Sequence, residues 1–301
     1  MKNVIIAGCN GLIGNALTKF LLNQNDYIIY GFDIHKEPSI IHKNLIYHSQ
    51  YIYDSKYIYE VLPHHIDEIY HLIGNPCPSK YLKNPTECIT NNFFSTNAML
   101  EVAHYYKAKI FIASSSEVYD DFYEIMSECD IGSINLLDDR VCYKESKRIE
   151  EVLALSFYKQ FKTDVRIGRI FNCYGTYLSE DTRFIARIVN AIKNNSEIVI
   201  YGDGNQKRSY CYIDDTINGI MTLMTKKCRF PVNIGNPYEY YSVNEVIKIF
   251  EEVIGFTIKT KHENNIDMIG PAYRRPDITL IKSLGWEPKV NLKEGSKKIL
   301  L

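Results

Sequence analysis

No stretch of this 301-residue chain is apolar for long enough to suggest a membrane span. The apolar start, Val4-Ile5-Ile6-Ala7, falls far short of the roughly 20 residues that cross a bilayer. It carries no small-residue cleavage pattern and runs straight into a glycine motif, so it is not expected to be a secretory signal. Net charge is nearly nil: 35 Lys and Arg against 36 Asp and Glu leave −1. That balance offers no electrostatic footprint for nucleic acid or an anionic membrane. An anionic small ligand therefore needs a local cluster of arginines. The eight cysteines include no C-x-x-C pair, which argues against a zinc site and for a reduced, cytoplasmic chain. Internal repeats, low-complexity tracts and long linkers are also missing. Tyrosine is in excess, at 24 residues, and its spread through Ile-, Asn- and Lys-rich stretches reads mostly as compositional bias.

What is present is globular. Hydrophobic residues at 46% and charged ones at 24% permit a substantial core, and the length exceeds one average domain. Short β-branched runs alternate with amphipathic helical patterns, which argues for βαβ units and a parallel sheet. Strands are expected at Asn3–Ala7, Tyr27–Phe32, Leu45–His48, Glu68–Leu72, Lys109–Ala113 and Thr163–Ile167. Two long helices are expected at Pro85–Tyr106 and Val141–Phe161, the first with its proline where a missing N–H costs nothing. After Asn172 the elements become shorter and mixed, and the chain is expected to cross back near Arg208–Asp214. The expected architecture is a doubly wound α/β Rossmann sheet with a smaller mixed α/β C-terminal lobe. Residues 1–172, completed by about 206–232, form the first part; 173–205 and 233–301 form the second.

Gly8-Cys9-Asn10-Gly11-Leu12-Ile13-Gly14 follows a strand and opens a helix. Glycines there allow a tight turn and let a pyrophosphate approach helix N–H groups. Asp33 closes the second strand roughly 20 residues later, where a carboxylate can bind ribose hydroxyls and repel a 2′-phosphate. NAD is therefore the expected cofactor over NADP, with His35 and Lys36 nearby as the cations that favour the alternative. Tyr143-Lys144-Glu145-Ser146-Lys147 places Tyr143 and Lys147 four residues apart on one helical face. A free phenol, with a pKa of roughly 10, is a poor base at neutral pH; an adjacent ammonium stabilises its phenolate. Ser114-Ser115-Ser116-Glu117 follows the fifth strand, at the edge where such sheets bind ligands.

With these motifs the chain resembles an extended short-chain dehydrogenase/reductase, and most closely the UDP-glucuronic acid decarboxylases (UDP-xylose synthases). Matching stretches are Ile69-Tyr70-His71-Leu72, Ser114-Ser115-Ser116-Glu117-Val118-Tyr119, and Arg140-Val141-Cys142-Tyr143 through Arg148. Others are Arg169 to Gly175, Tyr201 to Arg208, Asn233 to Pro237, Arg274-Arg275-Pro276-Asp277-Ile278, and Leu284 to Pro288. The resemblance implies that Tyr143 removes the C4 hydroxyl proton, Ser115 bonds the same oxygen, and Lys147 supports Tyr143 and the nicotinamide ribose. Ser116, Glu117 and Arg208 are implied near the substrate carboxylate and C5. Gly8, Asn10, Gly11, Leu12, Ile13, Gly14, Asp33, Leu72, Tyr143 and Lys147 are implied to bind NAD. Tyr81, Glu117, Asn172, Arg183, Arg208 and Arg274 are implied to bind the UDP-sugar. A homodimer through a four-helix bundle of the two long helices is implied as well. His71 is expected to pack at a strand end, and Trp286 in the C-terminal lobe.

Glu117 separates the subfamilies. Epimerases resembling this chain usually carry a small or apolar residue there, and dTDP-glucose 4,6-dehydratases carry Thr-Asp-Glu. Ser115-Ser116-Glu117 resembles the Thr-Ser-Glu of the decarboxylases, which GDP-mannose 4,6-dehydratases share. Several positions depart from the decarboxylase pattern: Gly74-Asn75-Pro76-Cys77-Pro78 in place of Ser-Pro-Ala-Ser-Pro, Asp120-Asp121 after Val-Tyr, Ser49, and Ile269-Gly270 before Pro271. A 4,6-dehydratase, a 4-epimerase or a non-catalytic NAD-binding module are the alternatives to decarboxylation toward UDP-xylose or a UDP-4-keto-pentose.

Overall fold

Val4, Ile5, Ile6 and Ala7 are all wholly buried, because the first strand lies mid-sheet with both faces covered, which selects a continuous apolar run over alternation. Val4 and Ile6 pack into one apolar cluster and Ile5 and Ala7 into the other, on opposite faces. The computed structural model describes residues 1–119, 123–176, 183–264 and 273–300. Asp120-Asp121, Ile269-Gly270 and Pro271 lie outside them.

In chain order the first half comprises β1 (Lys2–Ala7), α1 (Leu12–Leu22), β2 (Tyr27–Asp33), β3 (Leu45–Ser49), α2 (Lys56–Val61), β4 (Glu68–His71), α3 (Pro78–Tyr81), α4 (Pro85–Tyr106) and β5 (Lys109–Ser115). Next come β6 (Ile125–Met126), α5 (Val141–Phe161), β7 (Val165–Ile170), β8 (Cys173–Tyr174), α6 (Phe184–Asn194), β9 (Ile198–Tyr201), β10 (Lys207–Ser209), β11 (Cys211–Tyr212), α7 (Ile213–Thr225) and β12 (Val232–Ile234). The chain closes with β13 (Tyr240–Ser242), α8 (Val243–Ile254), β14 (Thr260–Glu263), β15 (Arg275–Pro276), α9 (Thr279–Ser283) and α10 (Leu292–Leu300).

Seven strands form one sheet in the order β12-β7-β5-β4-β1-β2-β3, every pairing parallel. This is the Rossmann-type α/β fold. Strand order reverses between β1 and β4, so the loops leaving them diverge and open a crevice beyond their carboxyl ends. The turn after β1, the loop after β4, the end of β5 and Asn172 after β7 all face that crevice. Four two-stranded ladders complete the described residues: β8 with β11, β9 with β14, β10 with β13, and β6 with β15.

Both long helices begin and end where their periodicity predicts. Four expected strands hold to within one residue, and two differ by more. β5 runs two residues past Ala113, pairing Ser114 and Ser115 with Arg169 and Ile170, so Ser115 stands on the strand rather than in a loop. The strand expected at Thr163–Ile167 is Val165–Ile170, shifted by that same register. The last sheet strand, β12, is only three residues long and escapes periodicity altogether.

Candidate active site

The turn after β1 is built from backbone. Gly8 has φ +86°, and a Cβ on Gly14 would sit 2.0 Å from Gly8 O, so neither position accepts a side chain without rearrangement. Gly11 caps α1 without a side-chain hydrogen bond, leaving the first-turn N–H groups open to an anion. Asp33 closes the cradle: its carboxylate accepts Asn10 N at 2.9 Å and meets His35 Nδ1 at 2.6 Å. This turn of glycines, open helix N–H groups and strand-end carboxylate fits the phosphates and ribose of a dinucleotide. Two expected contributors differ. The Asn10 side chain is committed to Glu37 O, Tyr47 Oη and Ser39 N, and Leu12 packs against the core; each offers only backbone to a ligand.

Beyond the turn a single cleft is lined by Ile13, Leu72, Ser115, Ser116, Glu117, Tyr143 and Lys147, and by Tyr81, Asn172, Arg183, Arg208 and Arg140. Tyr143 is nearly buried and stacks on Tyr81 with ring centroids 5.2 Å apart. Its phenol is held well above its ordinary range; burial is the main cause, the Ser115 hydrogen bond opposes it, and the charges of Glu150 and Glu117 add to it. Ser115 Oγ also accepts Glu117 N at 3.2 Å, which bends the chain so that Ser116 and Glu117 turn into the cleft. Ser114 points the other way, donating to Glu151 at 2.5 Å.

Lys147 departs from the simple picture of a free ammonium beside a phenol. Its Nζ donates to Ala113 O at 3.0 Å, Ile73 O at 3.3 Å, and both oxygens of Glu150 at 3.1 and 2.9 Å. Gly74 (φ +147°) covers it, and a Cβ there would come within 2.9 Å of Nζ. The expected ammonium is in place, but it is already paired.

Glu117 sits between cations. Arg140 Nη2 lies 3.6 Å from Oε1, and Arg274 Nη2 lies 3.4 Å from Oε2. Burial alone would raise its carboxyl; the charges of Arg274, Arg140, Lys144 and Arg208 outweigh that and lower it from the ordinary 4.5 to about 2. A lowered carboxyl contributes stability that is present above its unfolded value and lost as pH falls through its folded one. Between pH 4.5 and 2, the urea-unfolding free energy should therefore fall more steeply for the wild type than for Glu117→Gln. Parallel curves would contradict this pairing.

Arg208, on β10, has its guanidinium pKa pulled down to about 10, by burial first and then by Arg274 and Arg140, against Tyr210 and Glu117. Such like-charge crowding is what a multiply anionic ligand relieves. The buried amide nitrogen of Asn172 has no partner, and its residue lines the cleft. Arg183 caps α6, its Nη1 donating to Cys173 O at 3.4 Å. His71 bonds Thr96 at 2.9 Å and is kept neutral by burial and the Lys147 charge, at a pKa of about 3. Trp286 is buried and donates to Asp215 O at 3.1 Å.

Arg140 was not among the expected site residues. It precedes Tyr143 by three positions, hence shares its helical face, and its Nε donates to Tyr81 Oη at 3.0 Å. Its place in the matched Arg140–Tyr143 stretch was the available signal. Among the described residues no cluster of His, Cys, Asp or Glu could hold a metal ion, and no helix is long and apolar enough to cross a membrane. All eight cysteines are free thiols.

Residues 4–235 match the model of the NAD dependent epimerase/dehydratase family. UDP-glucuronic acid decarboxylase 5 of Arabidopsis thaliana is 35% identical over 297 residues, covering 97% of this chain and 86% of that one. The UDP-glucose 4-epimerase structure from Thermotoga maritima superposes with a TM-score of 0.88 at 23% identity, covering 99% and 97% of the two chains; that likeness speaks to the fold. The Bacillus cereus UDP-glucuronic acid 4-epimerase, solved with UDP-glucuronic acid and NAD, superposes at 0.85 with 26% identity over 98% and 96%.

Proposed function

This chain belongs to the NAD dependent epimerase/dehydratase family, and from that premise we propose that it decarboxylates UDP-glucuronic acid through a 4-keto sugar to UDP-xylose or a UDP-4-keto-pentose. The observation that carries the reading is Glu117, two residues past Ser115, held between Arg140 and Arg274 beside Tyr143. Similarity to UDP-glucuronic acid decarboxylases along nearly the whole chain supports it.

NAD would lie on the Gly8–Gly14 turn with Asp33 at its ribose and Ile13, Leu72, Tyr143 and Lys147 toward the nicotinamide; when bound it supplies the hydride acceptor at C4. Tyr143 takes the C4 hydroxyl proton while Ser115 bonds the same oxygen. With C4 a ketone, the carboxylate on C5 is β to a carbonyl, so CO2 leaves and its bonding electrons are held as an enolate. Ser116, Glu117 and Arg208 would surround C5 and the departing group; protonation at C5 gives the UDP-4-keto-pentose with the cofactor left reduced, and return of that hydride and of the Tyr143 proton to C4 would give UDP-xylose with no net redox change. Asn172, Arg183, Arg208 and Tyr81 would hold the nucleotide-sugar, the arginine forks matching diphosphate oxygens, whereas Arg274, also expected there, is buried against Glu117 and is not among the residues lining the cleft. In this division of labour residues 1–172 with about 206–232 would form the cofactor-binding part and 173–205 with 233–301 the nucleotide-sugar lobe, with Tyr81, Asn172 and Arg208 of the first part also reaching the substrate.

A second reading has a specific observation behind it: the fold likeness to a UDP-glucuronic acid 4-epimerase suits rotation of the same 4-keto sugar instead of loss of CO2. Mass and NMR identification of the product from UDP-glucuronate separates the two. A pentose is expected, and an intact hexuronate inverted at C4 would overturn decarboxylation.

Dimerisation is part of the proposal. Phe94 and Tyr105 share a face of α4, and Ile149 and Val152 a face of α5, and all four are exposed apolar residues; two such faces paired would bury them in a four-helix bundle. Val152→Asp should sediment as a monomer at micromolar concentration where the wild type is a dimer; an unchanged dimer would rule this face out. Free thiols throughout support a reducing, cytoplasmic setting.

A further inference from the structure

The buried face of α5 carries a carboxylate that the chemistry above does not use. Glu150 is 0% exposed, and both of its oxygens accept from Lys147 Nζ. An ammonium has three donors, and Glu150, Ala113 O and Ile73 O share them. A lone ammonium near Tyr143 would favour the phenolate; an ammonium–carboxylate pair in the same place presents almost no net charge. The Glu150 charge adds to the effect of burial in holding the Tyr143 phenol up.

The surroundings leave Glu150 with few other influences. On α5 the charged neighbours are Lys147 and Glu151, and Glu151 is bound by Arg169 of β7 and Ser114 of β5. β4 brings His71, neutral because burial and the Lys147 charge lower its pKa to about 3. The buried face of α4 brings uncharged Asn92, Ser95 and Thr96, and β5 brings the Ala113 carbonyl. We propose that Glu150 is a positioning residue for Tyr143: by pairing with Lys147 inside the fold, it sets the pH range in which the phenol exchanges its proton. This rests on Tyr143 being the acid–base group of the preceding reading. Burial, opposed by Lys147 and reinforced by Glu151, raises the carboxyl of Glu150 to about 7. The pair can therefore change its charge near neutral pH.

The test compares Glu150→Gln, which keeps the shape and removes the charge, with Glu150→Asp, which keeps the charge. In the pH profile of kcat/KM the acid limb of Glu150→Gln should move down by about one unit, about tenfold in rate below the limb. Glu150→Asp should keep it near the wild-type position. In the purified protein without added substrate, a protonated-carboxyl infrared band should titrate near pH 7 and vanish in Glu150→Gln. The infrared titration does not depend on which product forms, so it separates failure of this inference from failure of decarboxylation. Identical acid limbs in wild type and Glu150→Gln, equal shifts in both variants, or no infrared difference between wild type and Glu150→Gln would each overturn the proposal.

Discussion

Tyr143→Phe is expected to lower kcat/KM by about 10²–10⁴-fold, the span typical of losing a positioned acid–base group, while the protein stays folded and retains NAD. The substitution removes one oxygen and keeps the ring, so the stack on Tyr81 survives. Ser115 loses a hydrogen-bond partner but keeps its contact with Glu117 N. Lys147 remains tied to Glu150 and to two carbonyls, so no buried ammonium is left unpaired. The loss should therefore appear in kcat, with NAD retention and UDP-sugar affinity little changed, as titration of the purified variant would measure. A Tyr143→Phe protein that turns over within tenfold of the wild type would remove Tyr143 from the chemistry.

The largest stability effect is expected from Arg169→Ala, at about 3–5 kcal/mol, the usual cost of leaving one member of a buried pair alone. Arg169 grips Glu151 through two hydrogen bonds at 2.9 and 2.7 Å, with the side chains 12% and 8% exposed. It also donates to Tyr119 Oη at 2.8 Å and lies 4.8 Å over that ring. Tyr119 Oη donates to Asn233 Oδ1 at 2.7 Å, and Glu151 accepts from Ser114. One guanidinium thus binds β5, α5, β12 and the turn carrying Ser116 and Glu117 from behind. Without it Glu151 keeps a buried charge against a single hydroxyl. Arg169→Lys restores the charge but not the fork, so it should recover part of the stability. Urea denaturation measures both; a loss under about 1 kcal/mol for Arg169→Ala, the value of an exposed pair, would contradict the network.

These two residues also mark where sequence reading succeeds and where it stops. Tyr143 and the two long helices were legible, because their patterns are long and the tyrosine–lysine spacing fixes a helical face. The glycine turn and Asp33 were legible because their spacing is a backbone requirement. Glu150 and Glu151 were not: carboxylates three and four residues after a lysine read as solvated surface pairs, and only the packing of α4, β5 and β7 over α5 buries them. The buried stripe of α5 is polar at Tyr143, Lys144, Ser146, Lys147, Glu150 and Glu151, which inverts the rule that inward faces are apolar. The excess of tyrosine read mostly as bias, yet Tyr81 bonds Arg140 in the cleft and Tyr119 bonds Arg169 behind it. Asn10 shows what spacing leaves open: its side chain bonds Glu37 O, Tyr47 Oη and Ser39 N, so its backbone is what it offers the turn.

The central claim, oxidation at C4 followed by loss of the C5 carboxylate, is tested most directly with UDP-glucuronate labelled in its carboxyl carbon. The wild type is expected to release labelled CO2 one for one with UDP-pentose, and Tyr143→Phe none. Consumption of UDP-glucuronate with all of the label kept in a nucleotide-sugar would contradict it.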